Sequence, residues 1–99
     1  VYSTFCLTRD AEWSTRLFVL EMKDADEEGI GTFIEVIHRS PAKVGSTVNF
    51  YATLEAVNGH EIICSFIAKC GERIIAEGKT GQKILKKEKL NRIMAAIEN

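Results

Sequence analysis

The sequence is poor in most residues that mark a specialised class. Its 99 residues hold one proline, one tryptophan, two histidines and three cysteines. The cysteines, Cys6, Cys64 and Cys70, are sparse, odd in number and free of any CxxC pair. That excludes a disulfide framework and a cysteine metal knuckle, and it reads as reduced thiols in a cytoplasmic protein. Neither sign of charge is in excess: 13 basic against 14 acidic residues give a net charge of −1. Nucleic-acid binding wants a strongly basic face, so that class is set aside. No apolar run approaches the ~20 residues of a membrane span, and no basic-then-apolar leader is visible. Repeats and low-complexity stretches are missing. The chain opens at Val1-Tyr2 without a methionine, which leads us to expect residues ahead of it.

What is present is ordinary globular material, 45% hydrophobic and 27% charged. A chain of this length makes one domain, taken as 1–99. Residues 3–23 contain no glycine or proline and carry Phe5, Cys6, Trp13, Leu17, Leu20 and Met22 near helical spacing. They predict one long helix, capped by the hydroxyl of Ser3 or Thr4, with Trp13 in the core. Asp24–Gly29 holds four carboxylates in six residues. It lacks the ligand stagger of a calcium loop and reads as a solvated turn. No metal ligand set is found.

Strand patterns follow. Residues 32–38 are β-rich and end before Pro41. Residues 47–57 alternate, with Val48, Phe50, Ala52, Leu54 and Ala56 on one face, read as core. Asn58-Gly59 signals a hairpin, with His60 exposed at its tip. The next strand puts Ile62, Cys64, Phe66 and Ala68 on one face, and Cys70-Gly71-Glu72 turns into a strand over 73–85. A short helix over 86–99 groups Leu90, Ile93, Met94 and Ile97. The order helix, four antiparallel strands, short helix defines an α+β domain with the sheet folded over the long helix. Cystatin-like domains, hot-dog domains and small ligand-binding cones share that outline.

Three residues could carry chemistry. His38 ends a strand beside a proline loop, where function often sits, although a lone histidine there is more often structural. Glu12 lies mid-helix, where solvation is the default and an inward position would desolvate it. Thr4 has a structural explanation as a cap, yet the same helix start offers free N–H groups and a positive dipole end to a carbonyl oxygen.

Thr4 in VYSTF, Glu12 in AEW and His38 in GIGTFIEVIH, with Gly31 seven residues before His38 and Gly45 seven after, together resemble the hot-dog thioesterases, and within them the fluoroacetyl-CoA thioesterase group. The stretch GSTVNFYATLEAVNGHEIICSFIAKCGERIIAEGKTG is similar to the group's long hairpins. Phe5 departs from the proline common after the threonine, and Gly78-Lys79-Thr80-Gly81-Gln82 departs from a G-x-H-x-R pattern. The group's first strand and lid precede the helix and are not seen in this chain.

The resemblance implies a hot-dog fold and hydrolysis of a short-chain acyl-CoA to free acid and CoA. Thr4, Glu12 and His38 would be catalytic, Gly31 and Gly45 would bind substrate, and neither cofactor nor metal would be needed. His38 or Glu12 would be general base, on water or on the Thr4 hydroxyl. Eight helical residues rise ~12 Å, so Thr4 and Glu12 of one helix cannot touch. A homodimer, alone or as a dimer of dimers, would pair them across subunits, as the resemblance also implies. Lys79, Lys83, Lys86, Lys87, Lys89 and Arg92 could grip CoA phosphates, but a solvated face is the better reading. The alternatives are a non-catalytic acyl or CoA-ligand binding protein, a hot-dog dehydratase or hydratase, and a cystatin-like interaction domain that would leave Glu12 solvated and far from His38.

Overall fold

Two glycines set the hairpins. Gly59 and Gly71 have φ of +63° and +61°, a backbone region that a side chain at Cβ disfavours. Each takes the first position of a two-residue loop, Gly59-His60 and Gly71-Glu72, because Asn58 pairs with Glu61 and Cys70 with Arg73. The Asn-Gly signal therefore marks the right hairpin but sits one residue early. In the computed structural model, which describes residues 2–97, the chain runs α1 (Thr4–Met22), β1 (Glu27–His38), β2 (Asn49–Asn58), β3 (Glu61–Cys70), β4 (Arg73–Lys86) and α2 (Lys87–Ala96). The strands form one antiparallel sheet in the order β1-β4-β3-β2, so β1 and β2 are its edges.

Some boundaries differ from the sequence reading. The acidic turn is shorter than expected, because Glu27, Glu28 and Gly29 already pair with β4. β2 starts at Asn49, and its alternation breaks between Leu54 and Ala56, where the register shifts. Beyond that shift Val57 faces Ile62 and Ala56 faces Ile63, so Ala56 leaves the core side. Val48, Phe50 and Ala52 are half-buried, whereas Leu54 is exposed. A second shift, between Gly31 and Phe33, bends β1. α2 ends at Ala96. The predicted final turn reached Glu98 and Asn99, which lie outside the described residues.

The inner sheet face is the row Ile62, Cys64, Phe66 and Ala68, all essentially fully buried, with Ala76, Thr80, Gln82 and Ile84 beside it on β4. Burial pushes the Cys64 thiol up from its ordinary pKa. α1 lies across this face with Leu7, Ala11, Thr15 and Val19 turned to it, each 0% exposed. That is a corrected core. Trp13, expected to be buried, is 58% exposed, and Leu17, Leu20 and Met22 are also exposed. The size of a side chain misled the reading: small residues at the centre of the helix allow its backbone to lie close to the sheet, and the large ones are left outside. The side chain of Phe5 lies outside the described residues.

The seam between β1 and β4 tolerates no bulk. A Cβ on Gly78 would run into the backbone carbonyl of Glu35 and come within 2.9 Å of the Phe66 ring. Gly78→Ala should therefore destabilise the fold by about 1–3 kcal/mol, the usual cost of overpacking, seen as a lower denaturant midpoint at unchanged slope.

Candidate active site

The start of α1 builds the first half of the site. Ser3, not Thr4, is the N-cap: its Oγ accepts the Cys6 N–H at 3.1 Å. Thr4 is thus the first helical residue, and its hydroxyl is free for another partner. That partner is His38 at the end of β1, with Thr4 Oγ1 3.2 Å from His38 Nδ1. His38 is half-buried, and its Nε2 is buried with no hydrogen-bond partner among the described residues. Among the described residues the threonine is the ring's one side-chain hydrogen-bond partner.

Glu12 forms the second half. At roughly 100° per residue, Thr4, Thr8 and Glu12 share the flank of α1 that faces β1. A methyl group built on Gly31 would lie 3.9 and 4.0 Å from the two carboxylate oxygens of Glu12. The missing side chain at Gly31 leaves open space in front of that carboxylate. In this single chain Glu12 is exposed, and two turns of helix separate it from Thr4. Arg16 stands one turn further on, donating to Gly29 O at 3.3 Å and pairing with Glu28 at 3.5 Å.

Of the five residues singled out from sequence, the structure joins Thr4 to His38 and Glu12 to Gly31, and it sets Gly45 apart. Gly45, with φ of +88°, is a turn residue before β2 rather than the opening of that strand. It lines a 690 Å³ cavity on the other flank of α1, with Asp10, Trp13, Leu17, Val48 and Phe50. Val48 and Phe50 therefore serve as both core and cavity wall. In the wall of the cavity the Tyr2 hydroxyl donates to Asp10, and burial together with this bond raises the phenol well above its ordinary pKa. The basic residues of β4 and α2 are exposed, Lys86 pairing with Asp26 at 2.8 Å. His60 is exposed as expected. Among the described residues no group of three His, Cys, Asp or Glu side chains is placed to hold a metal, and no helix is long and apolar enough to cross a membrane.

Sequence reading missed a buried polar cluster beneath Glu12. Thr15 Oγ1 donates to the Glu12 carbonyl at 3.0 Å and accepts from Thr80 Oγ1 at 2.8 Å and Gln82 Nε2 at 3.5 Å. Its signal was the polar pair Thr80 and Gln82 at alternate positions on the buried face of β4.

A long helix laid across a four-stranded antiparallel sheet, with a threonine–histidine pair at its start and a carboxylate on the same flank, is the arrangement expected of a hot-dog thioesterase, and the comparisons with known proteins bear out that class. The family model for fluoroacetyl-CoA-specific thioesterase matches residues 1–88, and the chain belongs to that family. It is an acyl-CoA thioesterase. A thioesterase superfamily member from Thermus thermophilus is similar at 29% identity and TM-score 0.91, over 96% of this chain and 70% of that one. A single-residue mutant of the fluoroacetyl-CoA-specific thioesterase FlK, solved with fluoroacetate and CoA, is similar at 25% identity and TM-score 0.83, over 94% and 73%. A hot-dog-like protein from Thermanaerovibrio acidaminovorans shares the fold at 19% identity and TM-score 0.88, over 98% and 73%. No match is found among curated proteins. The exposed Glu12 is the feature a cystatin-like domain would also have, and the family match decides against that alternative.

Because Ser3 holds the helix start to which Thr4 belongs, Ser3→Ala should cost about 1 kcal/mol of stability, measured by denaturant unfolding.

Proposed function

We propose that the protein hydrolyses a short-chain acyl-CoA, with Thr4, His38 and Glu12 as its working groups. The reading rests on the Thr4–His38 contact at 3.2 Å at the start of α1. When the ring N–H on Nδ1 donates to Thr4 Oγ1, the threonine keeps its own proton to donate elsewhere, and no N–H is left orphaned on the buried Nε2. In this arrangement the Thr4 hydroxyl, with the first amides of the helix, holds the thioester carbonyl oxygen as it becomes an oxyanion. Glu12 takes a proton from the attacking water, which adds to the carbonyl carbon. The tetrahedral intermediate then collapses, the carbon–sulfur bond breaks, and the CoA thiolate leaves with the proton that Glu12 took from water, which restores the carboxylate. Gly31 keeps room for the acyl group beside Glu12. His38 orients Thr4.

Within one helix the two halves stand ~12 Å apart, too far for one thioester carbonyl to meet both. β1 is an edge strand of 12 residues, and among the described residues no strand pairs with the other side of its ladder. Pairing two β1 edges about a two-fold axis would set two α1 helices side by side and antiparallel, bringing Thr4 of one subunit to the partner subunit's Glu12. We therefore read the working form as a homodimer with two shared sites, in the cytoplasm, without cofactor or metal. A dimer of dimers is compatible with this.

Thiol release from a panel of short acyl-CoAs tests the chemistry. Glu12→Gln should lower kcat/KM by ~10²–10⁴-fold, Thr4→Val should lower it by ~10²–10³-fold, and Thr4→Ser should keep most activity. Wild-type turnover in Glu12→Gln would overturn the assignment.

Mixing Thr4→Val subunits with Glu12→Gln subunits tests the assembly. Heterodimers would hold one intact shared site, and random pairing should restore roughly a quarter of wild-type activity. No recovery on mixing, in a preparation shown by sedimentation to exchange subunits, would mean that each site lies within one chain.

A further inference from the structure

Three buried polar side chains sit where an apolar core would be simpler. Thr15 is 0%, Thr80 1% and Gln82 2% exposed. Burying such groups costs free energy unless they bond one another, and here they do so around a single atom, Thr15 Oγ1. That hydroxyl uses its full capacity: it donates once, to the backbone carbonyl of Glu12, and accepts twice from β4. The other end of the cluster also leads to the carboxylate. Gln82 is the register partner of Gly31 on β1, and Gly31 is the position that faces the Glu12 oxygens. Thr80 pairs with Ile34, on the far side of the register shift that bends β1 after Gly31.

We infer that the Thr15–Thr80–Gln82 cluster is a positioning device for Glu12, fixing the helix turn that bears the carboxylate against the strand position that faces it. The inference rests on the reading of Glu12 as general base. The packing at this point explains why hydroxyls stand here and not methyl groups. Ala11 and Thr15 are the small residues by which α1 approaches the sheet, and contact between small apolar groups leaves a helix free to rotate or slide by fractions of an ångström. A directional bond from β4 to the turn of Glu12 removes that freedom. Displacements on the order of 1 Å in such a group can cost ~10²-fold in rate. None of the three residues reaches the open space in front of Glu12, so they act through it and not on the substrate.

The test is Thr80→Val, which removes the donor to Thr15 at nearly constant volume. The expected result is a fall in kcat of roughly 10-fold with KM within about twofold, and recovery of most of kcat in Thr80→Ser, since a serine hydroxyl can make the same bond. The same substitution is then made in Glu12→Gln. If the cluster works through the carboxylate, Thr80→Val adds no further loss there, and the two effects are non-additive. Should Thr80→Val fold poorly, Gln82→Met takes its place in the same cycle.

A wild-type kcat in the folded Thr80→Val protein, or an equal proportional loss in both backgrounds, would overturn the positioning role and leave the cluster as packing. Wild-type turnover in Glu12→Gln is a separate failure: it would remove the base on which the inference rests, whatever Thr80→Val does.

Discussion

The close seating of α1 on the sheet is the constraint from which the other features follow. Leu7, Ala11, Thr15 and Val19 face the strands along one line, and the two central residues are small enough for backbone to approach backbone. This decides the helix rotation. With that line inward, Thr4 and Glu12 must fall on the flank toward β1, and Asp10, Trp13 and Leu17 on the flank toward β2. The first flank carries the groups suited to thioester chemistry. The second carries the 690 Å³ cavity. A larger residue at Ala11 would lift the helix and disturb both flanks.

Much of this was legible in the sequence, for identifiable reasons. Hairpins show through glycine, because Gly59 and Gly71 take positive φ values that other residues avoid. The inward row Ile62, Cys64, Phe66 and Ala68 shows through strict alternation, which β3 keeps without interruption from Ile62 to Ala68. Thr4, Glu12 and His38 each stand out by position, at a helix start, in mid-helix and at a strand end, but only the family resemblance joins them, and the contact of Thr4 with His38 spans 34 residues of sequence. Nothing local to either residue announces it.

What stayed hidden is equally physical. Ranking helix residues by hydrophobicity selects Trp13 and Leu17, but burial against a sheet at short range selects size as well, and Ala11 and Thr15 won. The shift after Leu54 turns Ala56 to the outer side of the sheet, which no alternation pattern anticipates. Ser3 and Thr4 are chemically equivalent as caps in a sequence. Only the fold shows that Ser3 does the capping and thereby frees Thr4 for His38. Capping and chemistry, which one residue could have combined, are divided between neighbours.

That division bears on how the site could be assembled. A single chain holds both halves of the arrangement but keeps them apart: Thr4 meets His38, and Glu12 faces Gly31, at a separation set by two turns of helix. Neither half can move toward the other without unwinding α1 or lifting Ala11 and Thr15 off the sheet. A two-fold relation between antiparallel helices is the economical solution, because it closes both gaps with one symmetry operation and requires no deformation of either chain. The geometry also asks for accuracy along the helix axis, since a slide of α1 on the sheet would misplace the Thr4 end and the Glu12 end in opposite senses across the two-fold axis. Directional bonds from Thr80 and Gln82 to Thr15 resist that slide at the middle of the helix, where one anchor serves both ends.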